Sequence, residues 1–266
     1  MSSDEEVLLR VKTETVKILK DRGYYIPPEE NFFLKEPSDS TLEEFRYYLY
    51  NVIIPVPDKK ENLTARDIIA KEKKSGISIR NRLSQFYYKP PTAIAPEYNC
   101  FVFFASSEGN DNMKKEEVGY YKKIILDYHC NYGFIISEKK IFPPTHREIK
   151  DITAISYTKP GSGTITQTYM YSELLYTPTE NVFCPKHIIL SKEQVTRLIV
   201  ESTMTETQLS KISVNDPYIK RLGAVPSDVI QIERESFIDG TLIDEEITFR
   251  RVYVPTEVKK AKVVRK

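Results

Sequence analysis

Hydrophobic positions in the first part of the chain recur at the spacing of one helix face. The residues of this stripe are Val7, Leu8, Val11, Ile18 and Leu19. Charged residues fill most of the other positions of 4–22, and Gly23 follows them as a candidate C-terminal cap. The pattern predicts an amphipathic helix over 4–22 that buries one face.

Further along, continuous apolar runs at 100–105 (CFVFFA) and 132–136 (YGFII) are short enough to be buried strands. Residues 164–175 are rich in β-branched and aromatic side chains and predict a third strand. Helical patterns lie between these strands, over 115–130 and after Pro143-Pro144. This alternation predicts an α/β layer with at least one parallel pair of strands.

The segment 27–98 is rich in proline and only weakly periodic. Thr41 and Glu44 have the spacing of a capping box, before a short apolar face. We interpret 27–98 as a surface elaboration of the α/β layer rather than as part of its core.

Thr177-Pro178-Thr179 predicts a domain boundary, so that the first domain covers 1–178. Beyond it, Ser191 and Gln194 have capping-box spacing, and Pro217 to Leu222 predicts a short helix that ends at Gly223. The strands predicted here are 211–214, 229–232 and 247–254. Strands and helices in this order predict a small α+β domain over 179–255.

Composition narrows the class of protein. The chain has 266 residues, with 39 Lys plus Arg against 38 Asp plus Glu. This balance argues against a free-standing nucleic-acid-binding protein, which usually has a basic excess. We expect no signal peptide, because Met1 to Glu6 is acidic and lacks an apolar run. The basic segment 256–266 predicts a disordered tail.

Candidate metal ligands are sparse. Cys184 and His187 have C-x-x-H spacing without a second pair nearby, and His129 and Cys130 are adjacent. A structural zinc site needs four convergent ligands. We therefore interpret the cysteines as free thiols in a reducing compartment, and we expect no metal and no other cofactor.

One pattern is typical of metal-dependent nucleases. Glu138 and Lys140 follow the strand 132–136, where such enzymes place a Mg²⁺-binding carboxylate and a water-polarising lysine. These enzymes also need an upstream aspartate on the neighbouring strand, and 100–105 contains no carboxylate. A solvated charged turn is the simpler interpretation, so we expect no catalytic residue in this chain.

The C-terminal domain carries a specific set of motifs. They are Pro185–Glu193, Gln208-Leu209, Lys211–Val214, Asp216-Pro217, Leu222-Gly223, Asp228–Ile232 and Ile247–Arg250. In this order and spacing they resemble the assembly domain of the fifth subunit of eukaryotic DNA-directed RNA polymerases and of its archaeal counterpart. Asp21–Tyr24, Phe101–Phe104 and Ser172–Leu175 with Val182 resemble the rest of that family more loosely.

The resemblance implies an N-terminal α/β jaw domain with a mixed sheet over 1–178. A small mixed-sheet α+β assembly domain over 179–255 would then dock on the largest polymerase subunit. It implies a non-catalytic structural subunit of a multisubunit DNA-dependent RNA polymerase, bound to other polymerase subunits and positioned near downstream DNA. It also implies the nucleus as location. A nuclease, or a free polymerase-binding adaptor, remains the alternative.

Two sets of site residues follow from the resemblance. The subunit-docking or scaffold residues are His187, Lys211, Ile212, Asp216, Pro217, Gly223 and Arg250. The DNA-proximal turn is Pro143, Pro144, Thr145, His146 and Arg147, where a helix N-terminus presents free N–H groups to a phosphate.

The sequence departs from the family pattern at several points. Ser210 replaces a proline, Pro226-Ser227 stands where the family favours glycine, and the hairpin loop predicted over Glu235–Glu245 is longer. A divergent lineage, or a large DNA virus with its own polymerase, would account for these departures. In the viral case the protein would be found in a cytoplasmic viral factory or in the virion.

Overall fold

A computed structural model describes residues 3–35, 38–51, 83–90, 98–105, 115–139, 141, 143–158, 164–181, 183–238 and 241–255. The chain divides into two compact units, Met1–Thr177 and Pro178–Lys266. No helix among the described residues is long and apolar enough to cross a membrane.

The N-terminal unit is built on one four-stranded sheet. Its strands are β1 (Gln85–Lys89), β2 (Tyr98–Phe104), β3 (Tyr132–Ser137) and β4 (Ile165–Met170). Its helices are α1 (Ser3–Asp21), a 3-10 helix (Pro28–Leu34), α2 (Asp39–Asn51), α3 (Lys115–Asp127), α4 (Pro143–Thr158) and the one-turn α5 (Tyr171–Leu174). β2, β3 and β4 are parallel and β1 is antiparallel, which confirms the predicted α/β layer with a mixed sheet.

Both faces of this sheet are covered, because successive side chains of a strand point to opposite sides. Phe101 and Phe103 of β2 pack with Tyr121 and Ile125 of α3 in one buried cluster. Val102 and Phe104, with residues of α1, α2 and the 3-10 helix, belong to a second cluster.

The segment 27–98 contributes to the core, so its prediction as a surface elaboration is wrong for the residues that the structure describes. Phe33, Phe45, Leu83 and Tyr87 are almost completely buried. The elements of this segment include a 3-10 helix and a five-residue strand. Elements of this length are too short to give a recognisable hydrophobic period in the sequence. Residues 52–82 and 91–97 lie outside the described residues.

The start of α2 also differs from the prediction. The helix begins at Asp39, and the Ser38 N–H donates to the Thr41 hydroxyl at 2.6 Å. Thr41 is therefore inside the first turn rather than at the cap. Glu44, the expected partner of a Thr41 cap, instead pairs with Lys35 at 3.3 Å on the surface.

A buried ion pair joins the elements around the second cluster. Lys12 of α1 and Glu30 of the 3-10 helix have no exposed side-chain surface, and Lys12 Nζ lies 2.8 Å from Glu30 Oε1. Tyr48 of α2 and Tyr87 of β1 donate to the two Glu30 carboxylate oxygens at 2.7 and 2.6 Å. Lys12 also donates to the Tyr87 hydroxyl at 2.7 Å and to the Leu83 carbonyl at 3.2 Å.

Burial lowers the pKa of Lys12 below its ordinary value, and the Glu30 carboxylate opposes that shift. Burial and the neighbouring Glu30 charge raise the pKa of Tyr48 and of Tyr87, so both phenols remain hydrogen-bond donors. Every polar group of the network therefore has a partner, which is the condition for a charged pair to be tolerated in a core.

The C-terminal unit contains a second four-stranded sheet, with the order β5-β7-β8-β6. Its strands are β5 (Lys186–Ile189), β6 (Ser210–Ser213), β7 (Val229–Ile238) and β8 (Thr241–Tyr253). Its helices are α6 (Lys192–Ser202), α7 (Pro217–Leu222) and 3-10 turns at Pro178–Glu180 and Glu206–Gln208. β6 is parallel to β8 and the other pairs are antiparallel, so this sheet is also mixed, as predicted.

The predicted hairpin loop Glu235–Glu245 is mostly strand, because β7 continues to Ile238 and β8 resumes at Thr241. Paired positions run from Val229↔Arg251 to Ile238↔Thr241, with an irregularity at Ser236/Phe237. Charged residues interrupt this stretch, so its sequence lacks the regular alternation of apolar and polar positions that indicates a strand.

The turn before β7 explains why the family pattern has glycine at the position that Ser227 occupies in this chain. Asp228 N–H donates to the Val225 carbonyl at 3.1 Å, with Pro226 and Ser227 as the two central residues. Ser227 has φ of 81°, a left-handed conformation. A turn with proline first and positive φ second favours glycine at the second position.

The buried ion pair predicts a large loss of stability when one partner is removed. Lys12→Met leaves the Glu30 carboxylate buried without its cation, which costs about 3–5 kcal/mol. The double variant Lys12→Met/Glu30→Gln should lose much less than the sum of the two single variants. Urea unfolding of the full chain, followed by circular dichroism, measures both.

Lys35→Met is the matched control, because the Lys35–Glu44 pair is exposed. Such surface pairs contribute about 0–1 kcal/mol. If Lys12→Met were no more destabilising than Lys35→Met, the buried network would not organise this unit.

Ser227→Gly should stabilise the protein, because a non-glycine residue in this conformation costs about 1 kcal/mol or more. Differential scanning calorimetry should show the transition of the C-terminal unit at a higher temperature. Ser210→Gly, in the extended strand β6, is the control and should lower that transition. Equal effects of the two variants would contradict the turn assignment.

The three cysteines are free, and their burial predicts their reactivity. Burial raises the pKa of Cys100 well above its ordinary value and that of Cys130 to about 12. At pH 8 we expect only Cys184, which is half-buried, to react rapidly with a disulfide reagent. The variant Cys184→Ser should react only after unfolding, and fast labelling of Cys130 would contradict the structure.

Candidate docking surface of the C-terminal unit

Helix α7 brings together most of the predicted docking residues. Asp216 caps it by accepting the Tyr218 N–H at 3.0 Å, and Pro217 is its first residue. Gly223 ends it at φ of 75°, the left-handed cap conformation that glycine favours. Ile212 of β6 shares the buried cluster with Ile219 of α7.

His187 lies on the face of the sheet that α7 covers. It pairs in register with Ile232, which belongs to the same buried cluster as Ile219. Its ring stacks on the Tyr218 ring with centroids 4.7 Å apart and planes inclined by 13°. The Tyr218 hydroxyl donates to the Pro178 carbonyl at 2.8 Å, so α7 also holds the start of this unit.

The two cationic docking residues are on neighbouring strand positions but on opposite faces. Arg250 pairs with Ile230 and Ser210, on the α7 face, and is half-buried. Lys211 pairs with Arg251, on the other face, and is exposed. A partner carboxylate or carbonyl can therefore reach either side chain, but not both at one point.

The geometry separates scaffold from surface within the predicted set. Asp216, Pro217 and Gly223 begin or end α7. Ile212 of β6 lies in the buried cluster, and the His187 ring is stacked on Tyr218. The sequence did not predict a role for Tyr218, because that role depends on contacts with the distant residues His187 and Pro178. It also missed Phe183, whose side chain is 94% exposed.

The predicted DNA-proximal turn opens α4. Pro143, Pro144 and Arg147 are exposed and His146 is half-buried. Thr145 is 4% exposed, so its hydroxyl does not face solvent as a phosphate contact would require. A β-branched residue in a first turn can point towards the sheet, and the sequence contains no sign of that orientation. Among the predicted residues of this turn, the exposed Arg147 is the one whose side chain can bind a phosphate.

The nuclease pattern has little support in the geometry. Glu138 follows β3 and is exposed, whereas Lys140 lies outside the described residues. At the same edge of the sheet, the Glu173 carboxylate accepts the Met170 N–H at 2.8 Å and caps α5. Within the described parts of the chain there is no group of three or more His, Cys, Asp or Glu that could hold a metal ion.

Comparison with known proteins finds sequence relatives that match the C-terminal unit. A family model described as RNA polymerase Rpb5, C-terminal domain, matches residues 176–252. The chain is 29% identical over 150 residues to the Dictyostelium discoideum protein "DNA-directed RNA polymerases I, II, and III subunit rpabc1", covering 56% of this chain and 71% of that one.

Archaeal relatives match a shorter stretch at higher identity. "DNA-directed RNA polymerase subunit Rpo5" of Pyrococcus abyssi is 42% identical over 57 residues, which are 21% of this chain and 70% of the relative. The Rpo5 protein of Archaeoglobus fulgidus is 36% identical over 73 residues, which are 27% of this chain and 91% of the relative. The chain therefore belongs to the Rpb5/Rpo5 family of DNA-directed RNA polymerase subunits.

Proposed function

We propose that this chain is a non-catalytic structural subunit of RNA polymerase whose C-terminal unit docks on the largest subunit. One observation carries the proposal. The 73 residues matched in the Archaeoglobus fulgidus relative make up 91% of that polymerase subunit. A subunit that consists almost entirely of the matched stretch must attach to its enzyme through that stretch.

The architecture of the C-terminal unit supports this role. It has its own sheet and its own buried cluster, formed by Ile212, Ile219, Ala224, Ile230, Ile232 and Val252. A folded unit with a fixed surface binds without first having to order itself, which favours stable assembly. Phosphodiester formation and its Mg²⁺ would then belong to the large subunits.

For the N-terminal unit we propose the jaw position, near downstream DNA. The support is the resemblance together with the exposed Arg147 at the start of the 16-residue helix α4. A helix N-terminus carries a partial positive charge, and the guanidinium of Arg147 adds to the positive potential at this end of α4. Any such contact reads the backbone rather than the bases. We also propose a nuclear location, because the eukaryotic relative is named as a subunit of RNA polymerases I, II and III.

The docking proposal predicts which part of the chain binds. Residues 179–266, co-expressed with the largest polymerase subunit, should co-purify with it, whereas 1–178 should not. The physical reason is that the docking surface is local to one compact unit. Co-purification of 1–178 in place of 179–266 would contradict the assignment.

The jaw proposal predicts a change in salt dependence. Arg147→Ala should shorten the lifetime of elongation complexes and lower the salt dependence of DNA retention by about one counterion per lost phosphate contact. Lys123→Ala, which removes an exposed charge from α3, is the control and should leave both quantities unchanged. Identical salt slopes for Arg147→Ala and wild type would leave this turn without a role in DNA retention.

A further inference from the structure

The hairpin of β7 and β8 extends beyond the rest of the C-terminal sheet. β5 pairs with β7 only as far as Glu233, and β6 pairs with β8 only from Arg250 onward. Among the described strands, the parts of β7 and β8 within 234–249 therefore pair only with each other. We call residues 234–249 the ribbon. A two-stranded hairpin is marginally stable by itself in water, so a further contact would stabilise the ribbon.

The ribbon is acidic, and two of its carboxylates face each other. It contains five Asp or Glu residues and one basic residue, Arg234, which gives a net charge of −4. Glu235 of β7 is directly opposite Glu245 of β8. Like charges in such a pair are destabilising, because the two Cβ atoms lie about 4.5–5.5 Å apart. Both side chains are exposed, and neither makes an ion pair with any described residue.

Neighbouring glutamates of the hairpin do have cationic partners. Arg234 Nη1 lies 3.7 Å from Glu246 Oε2, and Lys186 Nζ lies 3.0 Å from Glu233 Oε2. Glu235 is on the opposite side of the sheet from the buried cluster under α7, because side chains alternate along a strand and Ile230 and Ile232 belong to that cluster. A cation close to both Glu235 and Glu245 would relieve their repulsion.

We infer that the ribbon is the docking surface for the basic segment 256–266 of the same chain. This segment follows β8 and lies outside the described residues. Its sequence contains five Lys or Arg residues against one acidic residue, Glu257, which gives a net charge of +4. The charges of the ribbon and of the segment are therefore opposite and equal.

The segment is long enough to reach the two carboxylates. Tyr253, near the end of β8, is eight positions from Glu245. Eight strand residues span about 27 Å at about 3.4 Å each. The eleven residues 256–266 span about 36 Å when extended, so Arg265 and Lys266 can reach Glu235 and Glu245. Tyr253 and Glu245 are also on the same face of β8, because an even number of positions separates them.

The segment 256–266 fits the ribbon better than other occupants. The negative charge of the ribbon repels nucleic-acid phosphate. The hairpin is longer than in the family pattern, so a contact common to the family does not account for it. A contact between charges needs no single fixed conformation, which agrees with the disorder predicted for 256–266. The inference goes beyond the proposed function and does not depend on it, because both partners belong to this chain.

Paramagnetic relaxation tests the contact in the full chain. A nitroxide is attached at Ala261→Cys in the Cys184→Ser background, where the remaining thiols, Cys100 and Cys130, are buried. At low salt the label should broaden the backbone amide signals of residues 235 and 245. The signals should recover in about 1 M NaCl, where the Debye length is about 3 Å.

Two variants separate the ribbon from general surface charge. Glu235→Gln/Glu245→Gln should abolish the broadening without lowering the melting temperature, since it also removes the repulsion between the two carboxylates. Glu193→Gln/Glu201→Gln removes two exposed carboxylates from α6 and is the matched control. It should keep the broadening at 235 and 245.

Three results would overturn the inference. The first is no broadening at 235 and 245 in the wild-type ribbon, and the second is equal broadening in Glu235→Gln/Glu245→Gln. The third comes from a mixture in which the nitroxide is on one copy and the isotope label is on another. Broadening in that mixture as strong as within one chain would assign the ribbon to the basic segment of a second copy.

Discussion

The buried pair Lys12–Glu30 is the constraint on which the N-terminal unit depends. Two opposite charges without solvent contact are stable only if their remaining hydrogen-bonding groups are satisfied. Here the pair and its partners come from four elements, because Lys12 belongs to α1, Glu30 to the 3-10 helix, Tyr48 to α2 and Tyr87 to β1. The carbonyl of Leu83, two residues before β1, also accepts from Lys12. Aromatic rings enclose the ammonium, with Tyr87 at 5.3 Å and Phe104 at 5.8 Å from Lys12 Nζ. The network therefore fixes how the 3-10 helix, α2 and β1 pack around α1.

The shape of the C-terminal unit depends on a small number of local features around α7. Family motifs around α7 fix a short helix on a sheet, using a side-chain cap, a first-turn proline and a left-handed glycine. These features give the unit a stable shape but leave little of the motif free for a partner.

Local signals were sufficient for many elements. Helix α7 is recognisable because Asp216, Pro217 and Gly223 act within a few residues of one another, and the capping box of α6 is confirmed by the Ser191 and Gln194 side chains. The buried strands β2 and β3 follow from their apolar runs. The family itself follows from the order and spacing of the C-terminal motifs.

Features that depend on distant residues could not be predicted. Lys12 and Glu30 look like ordinary surface residues in the sequence, and their burial follows only from contacts across the fold. The His187–Tyr218 stack joins residues of β5 and α7 for the same reason. The exposure of Phe183 was equally hidden, because an aromatic residue beside an apolar strand is normally expected in a core. The candidate docking surface therefore needed the structure, whereas the family did not.

Membership of an assembled polymerase is the central claim, and one measurement tests it directly. The full chain, carrying an affinity tag and expressed in its source, should be purified under mild conditions and its partners identified by mass spectrometry. We expect the largest and second-largest polymerase subunits in amounts equimolar with the chain. Recovery of the chain alone, or with proteins that include no polymerase subunit, would contradict the account.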